Sequence, residues 1–528
     1  MLLVQIKLFY YLVIKNQNIC NEFLASPKSL PEYYKNNMIF TCWFVFILNL
    51  KYRFLRYKHP PALPLSLSEA ESGIYKRPIP HIFIHELLKY DIISFDVFDT
   101  LLLRPFDIPT DLFAFVGDKL KIKNFTNVRN SVQKKVQERK ERETGSREVT
   151  IVEIYEEIEK ETGIYASEGV RVEFETELEF IMPNPYMLRI FELLKYMGKR
   201  IIAVSDMYLS EAQIRLLLEK CSFYSFENIY VSSEYNLNKN NGLFRLVRDD
   251  IGSELTVFHI GDNFHADFFG AKKAGIDAYY YRMVREFGNK YRLEEKNILI
   301  NSAYRGIVNA HLHNGLYQYS SQYEFGYITS GLYILEFCSW LHEHAIKNKV
   351  EKLFFIMQGG DIIQKAYNII YNDVDNDCIF WPMTVEKNTD LSIIAGYYLR
   401  NFTGNYSCIS FVGINLDDTD VLMLQNIFNE AVPECKSFYL FISQYLIDTL
   451  KCQNNYFNFL SKFTFPKCIN LCIKNDKLCF NFTEPDVKTY NDIQEVYKGI
   501  LDFIRQYIKT FVKYQFMFNI TGNRELLK

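Results

Sequence analysis

The stretch DIISFDVFDTLLLRP, Asp91–Pro105, decides how the chain is read. Ile92–Phe95 is a continuous apolar run, as expected of a strand buried on both faces, and it ends on a carboxylate, Asp96. A second carboxylate, Asp99, follows three positions later, and the position two after Asp96 is Phe98. An acid at the end of a buried strand is a candidate nucleophile or metal ligand. Which residue would handle protons beside it is the question the spacing raises.

Similar runs follow: RIIAVS (200–205), NIYVS (228–232), VFHIG (257–261) and AYYYR (278–282). They are continuous rather than alternating, which predicts a parallel sheet within an α/β fold. Residues 96–199 hold no comparable run and are rich in helix-like charge patterns such as NSVQKKVQERKERE and TIVEIYEEIEKETG, so a helical insertion separates the first strand from the second. Open parallel sheets bind ligands at the carboxyl ends of their strands. There the chain places Asp96, then Ser205, then Lys239 in SSEYNLNKNNGLF, then Asp262 and Asp267 in GDNFHAD. Carboxylates are hard oxygen donors for Mg²⁺, and Lys and Ser stabilise charge on a transferring phosphoryl group. Read blandly, Ser205 is a turn residue, Lys239 a solvated charge, and Asp262 and Asp267 are helix caps.

In this order the four motifs, FDVFDTLL, AVSDMYLS, Lys239 and GDNFHAD running into FFGAKKAGI, resemble the haloacid dehalogenase superfamily over residues 88–285, with the insertion where that family carries its helical C1 cap. The resemblance implies a Rossmann-like sheet and an aspartyl-phosphate formed on Asp96. It implies that Ser205 bonds a phosphoryl oxygen and that Lys239 holds the nucleophile and phosphoryl charge together. It also implies that Asp96, Asp262, Asp267 and the backbone carbonyl at Phe98 serve Mg²⁺. One departure bears on the chemistry. Phosphatases of the superfamily place an Asp two residues after the nucleophile as general acid and base, and here that residue is Phe98. General acid–base help is worth ~10²–10⁴-fold. Three resolutions are open: Asp99 reaches in from the turn, the leaving group needs no acid, or the site binds phosphate and turns over poorly. Dehalogenation, which needs no proton and no metal, is a distant alternative that the acid pair of GDNFHAD argues against.

SDMYLS and VTIVEIYEEIEKETG are similar to a branch of large bacterial hydrolases of this superfamily linked to surface-polysaccharide synthesis, in which a second domain follows. YEFGYITSGLYILEFCSWL and LFFIMQGGD resemble its opening, but where that branch has Arg-Asp/Glu-Gly this chain has Gln358-Gly359-Gly360. A plain strand-to-helix turn, or an anion held on backbone N–H groups, remain the readings there. Near the end, DIQEVYKGILDFIRQYIKTFVKYQF predicts an amphipathic helix opened by a capping box of Asp492 and Glu495.

Composition excludes other classes. The 528 residues carry a net charge of −3, so no basic field advertises nucleic acid. The 11 cysteines are scattered without a C-x-x-C pair, which suits a reduced cytoplasmic protein. The pairs His311/His313 and His342/His344 could ligate a metal, but they lie in helix-like stretches with no constellation of cysteines or carboxylates around them. MIFTCWFVFILNL (38–50), followed by the basic aromatic KYRFLRYK, is too short to span a bilayer. It is either a buried helix or an interfacial contact, over residues 38–58, with anionic lipid. HPPALPLSLSEAESG (59–73) reads as a linker.

The expected organisation is an N-terminal segment (1–65), the α/β domain (66–290, with the cap at about 105–195) and a second α/β domain (291–528). The expected function is Mg²⁺-dependent hydrolysis or transfer on a phosphorylated small molecule such as a sugar phosphate or activated sugar. A weakly catalytic phosphate-binding scaffold of polysaccharide machinery is the alternative.

Overall fold

The computed structural model describes residues 10–14, 19, 38–54, 77–295, 297–357, 359–379, 406–414, 418–431, 434–442, 468–474, 477–482 and 487–514. The linker at 59–73 and Gln358 lie outside them.

Two compact units divide the chain, residues 1–319 and 320–528. In the first, strand β1 (Ile92–Phe95) leads to a short β2 (Leu102–Leu103), an insertion, a short β3 (Met182–Pro183), and then β4 (Arg200–Ser205), β5 (Ile229–Val231), β6 (Val257–Gly261) and β7 (Asp277–Tyr280). The main sheet has the order β5-β4-β1-β6-β7 and is parallel throughout. All four β1 side chains are buried, which explains why the run is continuous rather than alternating. Because β1 is central, Asp96 emerges between the ends of β4 and β6.

The insertion holds four helices, Leu112–Leu120, Phe125–Thr144, Ile151–Thr162 and Ala166–Phe180. Antiparallel pairing of β2 with β3, Leu102 opposite Pro183, ties its two chain crossings together. It ends before 195, because the helix Pro185–Tyr196 belongs to the sheet: Phe191 packs against Phe95 of β1. Within the insertion Arg129 and Glu173 form a fully buried pair, Nε to Oε2 at 2.7 Å, and the Tyr155 hydroxyl donates to the same carboxylate at 2.7 Å.

The first unit also keeps the helix Ile298–His311, so the division falls later than 290/291. A Cβ on Gly306 would lie 2.3 Å from the Phe106 nitrogen; only glycine allows this helix to seat so close to the chain leaving β2.

The second unit has a parallel sheet in the order β11-β10-β8-β9, from β8 (Lys352–Ile356), β9 (Asp375–Ile379), β10 (Cys408–Ile414) and β11 (Lys436–Ile442). A hairpin pairs β12 (Cys468–Lys474) with β13 (Lys477–Phe482). The last long helix runs Val487–Phe511, starting ahead of the expected capping box. Asp492 and Glu495 lie inside it, accepting from Gln322 at 3.0 Å and from Ser320 at 3.1 Å. At the end of β8, Gly359 takes φ +113° and the helix Gly360–Ile370 follows. The Asp361 carboxylate accepts from the Gly359 N–H at 3.3 Å and from the Tyr497 hydroxyl at 3.1 Å. The chain's own carboxylate therefore sits where an anion would, and a strand-to-helix turn is the reading the geometry favours.

Candidate active site

Four of the sequence-selected residues converge at the carboxyl edge of the first sheet. Asp96 follows β1, Asp262 follows β6, Asp267 lies on the turn beyond it, and Lys239 comes from the loop after β5. Lys239 Nζ donates to Asp267 Oδ1 at 2.6 Å and also to Asp96 Oδ1. One carboxylate oxygen from each of Asp96, Asp262 and Asp267 lies within 4.8 Å of the others, the one such cluster among the described residues.

The chain holds this cluster from beneath. Asp267 accepts from the Asn263 N–H at 2.8 Å, and its other oxygen lies 3.1 Å from His259 Nε2. His259 Nδ1 is 2.7 Å from the Ser94 hydroxyl. With Ser94 donating to Nδ1, the protonated Nε2 donates a hydrogen bond to Asp267, so a neutral imidazole fixes the orientation of that carboxylate. Burial lowers the His259 pKa, in keeping with the neutral form. Asp206 accepts from the Lys239 N–H at 3.0 Å and anchors the loop. None of Ser94, Asp206 or His259 stood out in the sequence. His259 was legible only as one buried letter inside an apolar strand.

The electrostatics are those of a site short of positive charge. Burial opposes the Lys239 ammonium, yet the carboxylates of Asp267, Asp96 and Asp206 outweigh it and hold its pKa above the ordinary value. Burial works against the Asp267 carboxylate too, and Lys239 and His259 overcome it, so it stays ionised. The other acids lack that compensation. Burial, with the charge of Asp267 added, pushes Asp96 up despite Lys239. Burial and then the charges of Asp96, Asp99 and Asp267 push Asp262 up further. The Thr100 hydroxyl donates to it at 3.3 Å. Three converging hard oxygens with a single ammonium among them fit a divalent cation, which would relieve the repulsion that raises Asp262.

Ser205 ends β4 fully buried, two residues past the Ala203–Phe95 register pair, and so lies on the strand beside Asp96. Phe98 and Asp99 face different partners. The Arg104 guanidinium lies 4.6 Å from the Phe98 ring centroid and is itself held by Glu177, Nη2 to Oε1 at 2.6 Å. Asp99 adopts φ 59°, and its carboxylate accepts from Arg285 Nη2 at 3.1 Å. Around this pair opens a cleft of about 470 Å³, its mouth included, lined among others by Arg104, Asp107, Tyr281, Arg285 and Asn309. Arg104 and Arg285 were also missed in the sequence, because their partners Glu177 and Asp99 are distant in the chain.

The insertion reaches the same edge. Its Ile151 N–H donates to the Tyr208 carbonyl at 2.8 Å, Ser146 to the Asn236 carbonyl at 3.0 Å, and Glu148 accepts from Asn238 at 3.3 Å. The loops that follow Ser205 and precede Lys239 are thus pinned to residues 146–151.

Among the described residues neither histidine pair belongs to a metal-binding cluster. His342 stacks on Tyr371 at 3.8 Å, and His313 lies 2.9 Å from Arg292.

No protein-family model and no curated protein matches the chain. Among solved structures it is similar to a hydrolase from Streptococcus pneumoniae TIGR4, at 19% identity over 38% of this chain and 96% of that one, TM-score 0.23. It is also similar to a Clostridium difficile protein assigned as a phosphatase, at 22% identity over 37% and 87%, TM-score 0.25. A defluorinating L-2-haloacid dehalogenase matches at 14% identity over 40% and 86%, TM-score 0.29. At these values the likenesses leave the activity open.

Proposed function

We propose that the chain is a divalent-metal-dependent hydrolase of the haloacid dehalogenase type, acting in the cytoplasm on a phosphorylated small molecule through an aspartyl-phosphate on Asp96. The observation that carries this reading is the convergence of Asp96, Asp262 and Asp267 with Lys239 bridging two of them. Mg²⁺, held by Asp96, Asp262, Asp267 and the Phe98 carbonyl, would supply positive charge against the phosphoryl oxygens. In the proposed step an Asp96 oxygen forms a bond to phosphorus as the bond to the leaving oxygen breaks. Lys239 opposes the protonation that burial favours at that carboxylate and aims it, and Ser205 donates to a phosphoryl oxygen. Water then releases phosphate and restores Asp96.

Proton delivery to the leaving group has no obvious source. Phe98 has no proton to give, and Asp99 is ion-paired to Arg285. Substrates whose leaving group departs as a stable anion, such as phosphoanhydrides and activated sugars, therefore suit the site better than alkyl phosphates. A sugar-containing substrate and a place in surface-polysaccharide metabolism rest on the sequence resemblance alone. The same Phe98 and Asp99 geometry supports a second reading, a phosphate-binding scaffold of low turnover.

Phosphate release from sugar phosphates, nucleotide sugars and pyrophosphate, with and without Mg²⁺, separates these readings. Metal-dependent release that Asp96→Asn abolishes, fastest for anhydrides, is the expected result. Phosphate binding without release from any of them would move the scaffold reading ahead.

A further inference from the structure

The helix Met38–Asn49 continues through a looser turn, Leu50–Phe54, and is apolar on two opposite faces. On one, Val45, Leu48 and Tyr52 are buried with Val13 and Ile19, and Tyr196 of the sheet-flanking helix packs alongside. Asn49 fastens the same face, donating to the carbonyls of Leu12 and Val45 at 2.8 Å each. On the other face Trp43, Phe46, Ile47, Leu50 and Phe54 are 60%, 59%, 47%, 42% and 79% exposed. At 100° per residue these five fall within an arc of roughly 100°. Single exposed apolar side chains are ordinary, but a contiguous aromatic-rich stripe marks an interaction surface.

Charge and length select the occupant. Lys51 and Arg53 flank the stripe in sequence, Lys51 over the Tyr52 ring and Arg53 donating to the Tyr11 carbonyl; Arg56 and Lys58 follow in sequence, and no Asp or Glu occurs from residue 33 to 68. That local cationic field stands out in a chain whose net charge is −3, and it complements anionic headgroups. Trp and Phe favour the boundary between headgroups and acyl chains. From Met38 to Phe54 the helix and its looser last turn reach no more than about 25 Å against a hydrocarbon core of about 30 Å, and one face is buried in the fold, so the segment can lie on a bilayer. Among the described residues no helix is long and apolar enough to cross a membrane.

We propose that this face is a docking surface for an anionic lipid bilayer. Trp43, Phe46, Ile47, Leu50 and Phe54 enter the interface, while Lys51 and Arg53 meet the headgroup charge. The buried face keeps the helix attached to the folded unit, so docking brings that unit to the membrane surface.

The test is sedimentation of the full chain with phosphatidylcholine vesicles, with and without phosphatidylglycerol. The chain is expected to pellet with the anionic vesicles, and less as salt rises. Trp43→Ser with Phe46→Ser and Phe54→Ser is expected to lower the partition coefficient about tenfold or more at unchanged thermal melting, since all three side chains point away from the fold. Lys51→Gln with Arg53→Gln is expected to remove the preference for anionic lipid. Quenching of tryptophan fluorescence by brominated lipid reads the unsubstituted protein, and Trp43→Phe should pellet normally while losing that quenching. Failure of the unsubstituted chain to pellet with anionic vesicles would overturn the proposal. Undiminished pelleting of the triple variant, or a stripe-dependent dimer formed in place of vesicle binding, would overturn it equally.

Discussion

Arg285 Nη2 donates to the Asp99 carboxylate at 3.1 Å, across 186 residues of sequence. The pair stands at the turn that follows the candidate nucleophile, and it occupies the acid that the sequence offers in place of the missing proton donor. Asp99→Asn tests that reading, because Asn tolerates the left-handed backbone that Asp99 adopts. Turnover is expected to change by no more than about threefold, since a general acid would be worth ~10²–10⁴-fold. A loss in that larger range, read from kcat on an alkyl phosphate, would make Asp99 the acid after all.

Divalent metal should stabilise the chain against heat. A ligand at a hundredfold excess over its Kd adds about 2.7 kcal/mol to the state that binds it. The melting temperature should therefore rise with Mg²⁺ and fall back with a chelator. Asp262→Asn, which removes one donor of the cluster, should abolish the response. An unchanged melting temperature at millimolar Mg²⁺ would count against the site.

His259 is placed to orient Asp267, with Nε2 to Oδ1 at 3.1 Å. Losing such a supporting group typically costs 10–100-fold in metal affinity or activity, by order of magnitude. His259→Leu should shift the midpoint of a Mg²⁺ titration by about that factor. His259→Gln, which keeps a donor, should recover part of it. Equal shifts for both would leave packing alone as the role of the imidazole.

The insertion carries its own buried charge pair. Removing one partner of such a pair is expected to cost about 3–5 kcal/mol, because the other charge is left uncompensated. Arg129→Met should show that loss in chemical denaturation. Arg129→Met combined with Glu173→Leu should recover most of it, and the double-mutant cycle gives the coupling. Additive losses would mean the two side chains contribute separately.

Acid sensitivity should arise partly at Glu157. Hydrogen bonds from Lys135, Arg139 and Lys160 hold its carboxyl down from 4.5 to about 2. A depressed folded pKa contributes stability that is fully present above pH 4.5 and is lost as the pH falls toward 2. Glu157→Gln should flatten the fall of melting temperature across that window, while an unaltered slope would place the acid response elsewhere.

The strands of the first sheet were legible because β1, β4, β5 and β6 are buried and so almost continuously apolar, a local signal, whereas the edge strand β7 is only half-buried and was legible as a run of tyrosines. Asp96, Ser205, Lys239, Asp262 and Asp267 were legible for a related reason: a parallel sheet gathers whatever polar residue ends each strand. The ends of elements were less so. The insertion stops before residue 195 because Phe191 packs on Phe95, and the first unit runs past residue 290 because Gly306 lets its helix approach Phe106. Neither contact leaves a periodic trace. Likewise Arg104 with Glu177, Arg285 with Asp99, and His259 with Ser94 and Asp267 are paired only once the chain is folded. Continuous apolar runs by themselves determined the sheet and the residues that follow its strands. Which charge each of those residues meets, and which face of the Met38–Asn49 helix stays exposed, only tertiary packing decided, since desolvation and Coulomb energy depend on distances that sequence separation does not encode.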